Sequence, residues 1–413
     1  MKNTNRSLLI LILGLLSAIG PFSIDMYLPG FPVIAQKLNT TVEYVAYSLS
    51  SFFIGVCVGQ LLCGPLLDRF GRKRPLVIGL LLYIAASVAC SFTTTADMLI
   101  LFRFVQALGC CVAMVAPSAI VRDVFPVAEN ARIFSLLILI LGVSPILAPT
   151  VGSFLVAAFG WASVFLVLAA VTALVLLLVV LRLPESKAAD PSVSLRPAPI
   201  VRGFANVIRE PQFATYAFAG AIAAAGLFAY LAGSPFVFMS LFGVSEQAYG
   251  WIFALIAAGL IGCSQLNNVI LKKYTSAQVI RVVLITQASI GLVLAALTAL
   301  QLLNLYSTIG LMFLFLSCQG FTFPNSAALA MAPFTSGAGS ASALMGALQM
   351  AFGALASALV GILFNNTALP TAAIMSFCSL MGLMVLLFGN RRIRFQQRKA
   401  DLEAQRLELI ETL

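Results

Sequence analysis

Gly64-Pro-Leu-Leu-Asp68-Arg69-Phe-Gly71-Arg72-Lys73-Arg74 places four basic residues, one acid and two glycines within eleven positions. On either side the chain turns apolar, near 43–66 before the string and 75–94 after it. A short charged string between two apolar runs of about 20 residues is the mark of a hairpin between membrane-spanning helices. The glycines let two helix ends approach closely. Asp68 is placed to accept from a helix N-terminus or an arginine fork, and the basic run anchors the loop among lipid headgroups.

The same pattern repeats along the chain. Of 413 residues, 61% are hydrophobic and 9% charged, with a mean hydropathy of +1.05. A soluble chain is about 25% charged, so most of this surface faces something other than water. Spanning structures satisfy their own backbone hydrogen bonds, as helices or as closed barrels. The apolar runs are too long and too rich in Leu, Ala and Gly for barrel strands of about 10 alternating residues. Twelve helical spans result, near 8–30, 43–66, 75–94, 98–121, 133–157, 162–183, 213–236, 248–270, 278–301, 304–326, 341–363 and 369–389. The fold class is therefore all-α and polytopic. A polar, proline-rich linker at 184–212 divides the spans into a six-helix bundle at 1–183 and another at 213–389, followed by a tail at 390–413. The tail reads as a short amphipathic helix. The first apolar run continues through Pro21 to Pro29 with no small-residue cleavage site, so it reads as an uncleaved first helix rather than a signal peptide.

Charge sets the orientation. With both termini in the cytoplasm, cytoplasmic segments hold 22 of the 24 Lys and Arg residues, in groups of 2, 4, 2, 5, 3 and 6. The group of five runs from Arg182 to Arg209, and only Lys37 and Arg103 fall outside these segments. This bias fixes cytoplasmic termini and assigns the net charge of +10 to topology and anionic lipid, not nucleic acid. The eight cysteines all lie in apolar runs and read as small apolar filler. No metal site and no cofactor are expected. An enzyme needs a nucleophile–base pair or metal ligands, and a chain with no histidine and few embedded acids supplies neither. A receptor would carry a sizeable soluble domain, and the longest non-membrane stretch is only the linker. No phosphate-binding G-x-x-x-x-G-K-[ST] loop is present, which excludes an ATP-driven pump as a single chain.

Against this background the Gly64–Arg74 order, G-x-x-x-D-R-x-G-R-K, resembles the signature loop of the major facilitator superfamily at every position. The resemblance implies two six-helix bundles that alternate access to a central cavity. It also implies that the loop latches the cytoplasmic ends in the outward-facing state, with Asp68 facing the start of span eleven near Ser340 and Arg72 facing Asp123. The string Ser23-Ile-Asp25-Met-Tyr27-Leu-Pro29, with Arg122-Asp-Val-Phe-Pro126, resembles the Bcr/CflA group of drug-resistance transporters. Span four carries Arg103-Phe-Val-Gln106-Ala-Leu-Gly109, similar to the family's R-x-x-Q-G region with two residues more before the glycine. In span five, Gly142, Pro145, Pro149 and Gly152 resemble the antiporter motif of drug–proton antiporters, with Pro145 in place of the usual Gly-Pro pair.

These residues suggest a mechanism. Without histidine, a proton carrier must be a carboxylate, and Asp25 is the one acid deep in a span. It lies 17 residues beyond Leu8, about 26 Å up the helix at 1.5 Å per residue in a core of roughly 30 Å. Arg103 lies about 8 Å below the outer start of span four by the same rise, at a similar depth, so the two are expected to meet. An arginine partner favours the charged carboxylate, whereas burial alone favours the neutral acid. The contact or hydration of Asp25 is therefore expected to change between states. The cavity is expected near the midplane between the halves, lined from among Tyr27, Tyr47, Gln60, Gln106, Met114, Ser118, Tyr230, Phe236, Asn267, Gln319 and Asn325. The expected protein is a monomeric antiporter of the bacterial inner membrane that exports small amphipathic antimicrobial compounds, bicyclomycin- or chloramphenicol-like, in exchange for protons. The alternative is a major facilitator exporter or importer of a small metabolite such as a sugar or amino-acid derivative.

Overall fold

A computed structural model describes residues 6–125, 127–193, 195–334 and 338–411 of the chain. Every regular element in it is helical. Before the linker run α1 (Arg6–Asp25), α2 (Phe31–Lys37), α3 (Val42–Phe70), α4 (Lys73–Ser91), α5 (Ala96–Val124), α6 (Val127–Phe159) and α7 (Ala162–Arg182). The linker contains α8 (Pro197–Arg209), and beyond it lie α9 (Pro211–Pro235), α10 (Glu246–Ile270), α11 (Ser276–Ala299), α12 (Leu305–Met331), α13 (Ala338–Ile362) and α14 (Leu369–Glu411). With α1 and α2 taken as one broken span, twelve of these helices are long and apolar enough to cross a membrane.

Local chemistry sets the helix ends. Thr41, Thr95 and Ser245 accept the third backbone N–H of α3, α5 and α10, while Thr275 and Asn304 close reciprocal capping boxes on α11 and α12. The first span breaks after Asp25 into a 3₁₀ turn at Leu28–Gly30 before α2. Pro29 and Pro32 remove two donors there, so the helix cannot run straight through. α3 stops at Gly71, whose φ of +83° a side chain would resist. By contrast α6 runs unbroken through Pro145 and Pro149.

One feature differs from the sequence expectation. The tail is not a separate short helix: α14 continues from the last span as one 43-residue helix to Glu411. Within the linker, α8 packs Phe204 and Val207 into one apolar cluster with the α9 residues Phe213 and Tyr216.

The helices before the linker pack with α5 against α1, α3 and α4, and with α7 against α1 and α4. Those after it pack with α9 against α12, α13 and α14, and with α10 and α11 against α12. The two sets meet through α3 on α13 and α6 on α10.

Candidate functional site

α5 enters from the Thr95 cap and carries Arg103 about two turns in, where its side chain is fully buried at 0% exposure. Its Nη1 donates to Gln106 Oε1 at 2.5 Å and its Nη2 to the Ser23 carbonyl at 2.9 Å. The guanidinium carbon lies 4.3 Å from the ring centre of Tyr27, 4.2 Å from that of Phe52 and 5.8 Å from that of Phe165. A desolvated cation over an aromatic face gains about 2 kcal/mol, so three rings and two neutral acceptors replace a counter-ion. Behind them Gln106 Nε2 donates to Ser87 Oγ at 2.6 Å, and the Ser23 and Tyr83 hydroxyls lie 2.6 Å apart. The Tyr27 hydroxyl shares a hydrogen bond with Ser48 at 3.2 Å.

Asp25 is not among Arg103's partners. It closes α1 at 5% exposure, and its carboxyl group makes no hydrogen bond or ion pair with any described residue. Arg103 instead takes the Ser23 carbonyl and stacks on the Tyr27 ring, the residues two before and two after Asp25, so the expected pairing of acid and cation is not made in this structure. The turn just beyond Asp25, Leu28–Gly30, packs against α9 and α10, which carry the buried Tyr230 and Tyr249.

The signature loop is tied to the linker. Arg72 joins Asp123 at 2.8 Å and Asp68 at 3.0 Å. Burial would lower the Arg72 pKa, but its hydrogen bonds and ion pairs with Asp123 and Asp68 outweigh that and raise it. Lys187 reaches Asp68 at 2.8 Å, Ser186 Oγ donates to Asp123 at 3.2 Å, and Arg69 donates to the Val193 carbonyl at 2.8 Å. The Glu185 carboxylate accepts the backbone N–H of Arg72 at 2.7 Å and of Lys73 at 3.1 Å, where α4 begins. Lys73 Nζ donates to the Val180 carbonyl at 2.9 Å. Asp68 makes no bond to α13; it and Ser340 only border the same cavity. A β-carbon placed on Gly64 would meet open space.

That cavity has a volume of about 770 Å³ and opens on the linker side, between α3, α5, α8 and α13. Of the residues expected to line it, Gln60, Met114 and Ser118 do. Tyr27 and Gln106 belong to the Arg103 cage. Asn325 donates to Asn267 at 2.7 Å, and Gln287 to Gln319 at 3.1 Å, in buried pairs among α10, α11 and α12. Tyr230 is buried, Phe236 stacks edge-on against Phe364, and Tyr47 packs against Gly361. The lining that sequence reasoning did not supply includes Val115, Arg122, Phe323, Met345 and Gln349. A helix's facing is set by its neighbours, so these could not be picked from one sequence. Glu185 and Lys187 were also missed; their charge was visible, but the docking of the linker was not.

On the far side the two helix sets close on each other. The Ser50 and Ser357 hydroxyls are 2.7 Å apart, and Phe53 meets Phe228 edge-to-face at 4.6 Å. On α6, Gly142 faces Ile261, Pro149 presents its carbonyl to Gly250, and a β-carbon at Gly152 would collide with the Met26 carbonyl oxygen.

Twelve membrane-length helices closed at one end around a cavity open at the other have the architecture of a membrane transporter. The chain belongs to the Major Facilitator Superfamily, whose family model matches residues 13–361. It is 34% identical over 400 residues to the uncharacterized MFS-type transporter YdgK of Bacillus subtilis, covering 95% of this chain and 97% of that one. It is 30% identical over 384 residues to the bicyclomycin resistance protein homolog of Haemophilus influenzae, covering 93% and 96%. Multidrug resistance protein MdtL of Escherichia coli is 29% identical over 373 residues, covering 89% and 92%. These relatives agree with the resemblance to Bcr/CflA-type drug transporters. Among solved structures, a bacterial homolog of the human lysosomal transporter Spinster, inward-facing and unoccupied, superimposes with a TM-score of 0.67 at 15% identity, covering 94% of this chain and 96% of that one. That likeness concerns the fold alone.

Proposed function

We propose that the chain is a proton-coupled antiporter that exports small amphipathic antimicrobial compounds, bicyclomycin- or chloramphenicol-like, across a bacterial inner membrane. The observation that carries this reading is Asp25, the only buried carboxylate among the described residues. Buried ionisable groups within spans mark ion and proton paths, and this one has no fixed counter-ion holding it charged. The bundles 1–183 and 213–389 rock about the contacts of α3 with α13 and α6 with α10. The linker side faces the cytoplasm, as its basic residues require, so the cavity described above is the inward-open state. Asp25 loads a proton from outside and releases it inside as substrate is taken up from the cytoplasm. Drug-resistance names among the relatives support the substrate class. The charged residues Asp68, Arg72, Arg122 and Asp123 border the cavity, while the uncharged part of its lining, with Gln60, Met114, Phe204 and Phe323, suits amphipathic molecules of varied shape.

The test is proton movement driven by chloramphenicol in proteoliposomes with an imposed pH gradient. Wild type is expected to exchange the drug for protons, and Asp25→Asn to insert normally but lose gradient-driven transport. Full coupling in Asp25→Asn would exclude Asp25 as the carrier. A panel adding sugars and amino-acid derivatives separates drug export from metabolite transport.

A further inference from the structure

We infer that Tyr230 is the positioning residue for Asp25, the donor from the second helix set that the carboxyl takes up when it ionises. The inference rests on Asp25 as the coupling acid. Tyr230 is 1% exposed, yet its hydroxyl is buried without a hydrogen-bond partner. An unsatisfied buried hydroxyl is costly, so the structure calls for a partner in another protonation state. The neighbouring phenol differs, because Tyr249 shares a hydrogen bond with Ser234 at 2.9 Å and is already satisfied. Phe253 packs against both rings, with centroids 5.7 Å from Tyr230 and 6.1 Å from Tyr249, and fixes them as a pair.

The backbone brings this pair to Asp25. The 3₁₀ turn at Leu28–Gly30, three residues beyond it, packs against both α9 and α10. The groups facing this region then fall into two sets. On the α4 and α5 side stand Arg103 and Tyr83, both engaged with Ser23 or its carbonyl. On the α9 and α10 side stand Tyr249, already bonded to Ser234, and Tyr230, whose hydroxyl makes no hydrogen bond among the described residues. The first set holds the turn before Asp25 in place. The second is carried by the helices that move relative to it, so a Tyr230–Asp25 bond would join proton release to the relative position of the two helix sets.

Infrared difference titration of the purified protein tests this without a substrate. The chain has 14 acidic residues, and subtracting the Asp25→Asn spectrum from that of wild type isolates the Asp25 band. Tyr230→Phe removes one oxygen and keeps the ring. It is expected to move the titration midpoint of that band by about tenfold in proton concentration, favouring the neutral acid, since the ionised form has lost a donor. Fluorotyrosine at position 230, a stronger donor in the same ring, is expected to move it the other way. A midpoint unchanged in both variants overturns the role of Tyr230 and leaves Asp25 as carrier intact. Wild-type and Asp25→Asn spectra that coincide throughout would remove Asp25 as a titrating group and both proposals with it.

Discussion

A guanidinium in the interior of a helix bundle needs both acceptors and a surface for its faces, and Arg103 has each. Lysine is a compact point charge that can neither fork between Gln106 and the Ser23 carbonyl nor stack between Tyr27 and Phe52. Arg103→Lys should therefore lower stability by about 2–3 kcal/mol, read as a fall in the melting temperature of the detergent-purified protein. A melting curve matching wild type would show that the cage is not structural. The residue scale also marks a limit of sequence reading. Arg103 was legible as the basic residue deepest in a span, at a level expected to match that of Asp25. The sequence could not show that Ser23 and Tyr27 together would take up the cation, because that depends on which side of α1 turns toward α5.

At the scale of elements, the clearest case is Glu185, which caps α4 from 113 positions away in sequence by its bond to the Arg72 N–H. A carboxylate at a helix N-terminus satisfies orphan donors and complements the dipole. Glu185→Ala should cost about 1–2 kcal/mol and release the strap through Lys187, so trypsin should cut after Lys187 faster than in wild type. Equal cleavage rates would mean that the strap is held by other bonds. The glycines divide in a similar way. Gly152→Ala forces a β-carbon into the Met26 carbonyl, so it should depress the yield of folded protein or displace the turn beside Asp25. Gly64→Ala meets open space here and should melt no lower than wild type, alanine being the better helix former by about 0.5–1 kcal/mol. Spans were legible because hydropathy acts locally. The order in the linker was not, since Glu185, Ser186 and Lys187 gain their roles only from the loop they meet.

On the scale of the whole molecule, one end is closed by contacts such as Ser50 with Ser357 and the other holds the 770 Å³ cavity. If transport requires the closed end to part, joining it should stop the cycle. Ser50→Cys with Ser357→Cys, oxidised to a disulfide, is expected to abolish transport, and reduction should restore it. Transport that persists in the fully crosslinked protein would show that those helices need not separate. The architecture was the most legible part of the chain, because membrane length and the Gly64–Arg74 order are written in consecutive residues. The cavity walls were the least legible, since Phe323, Met345 and Gln349 line it through the packing of helices distant in sequence.

α14 adds a mechanical consequence at this same scale. Its last 18 residues beyond the apolar span, which ends at Ile393, continue the helix without a break to Glu411. At 1.5 Å per residue that is a rod of about 27 Å, fixed to the bundle it leaves. Each degree by which that bundle tilts swings the tip through about half an ångström, so the tail is a pointer that magnifies the motion of its bundle. A spin label near the tip and another on α7 would turn the rocking of the transporter into a distance read directly in the membrane.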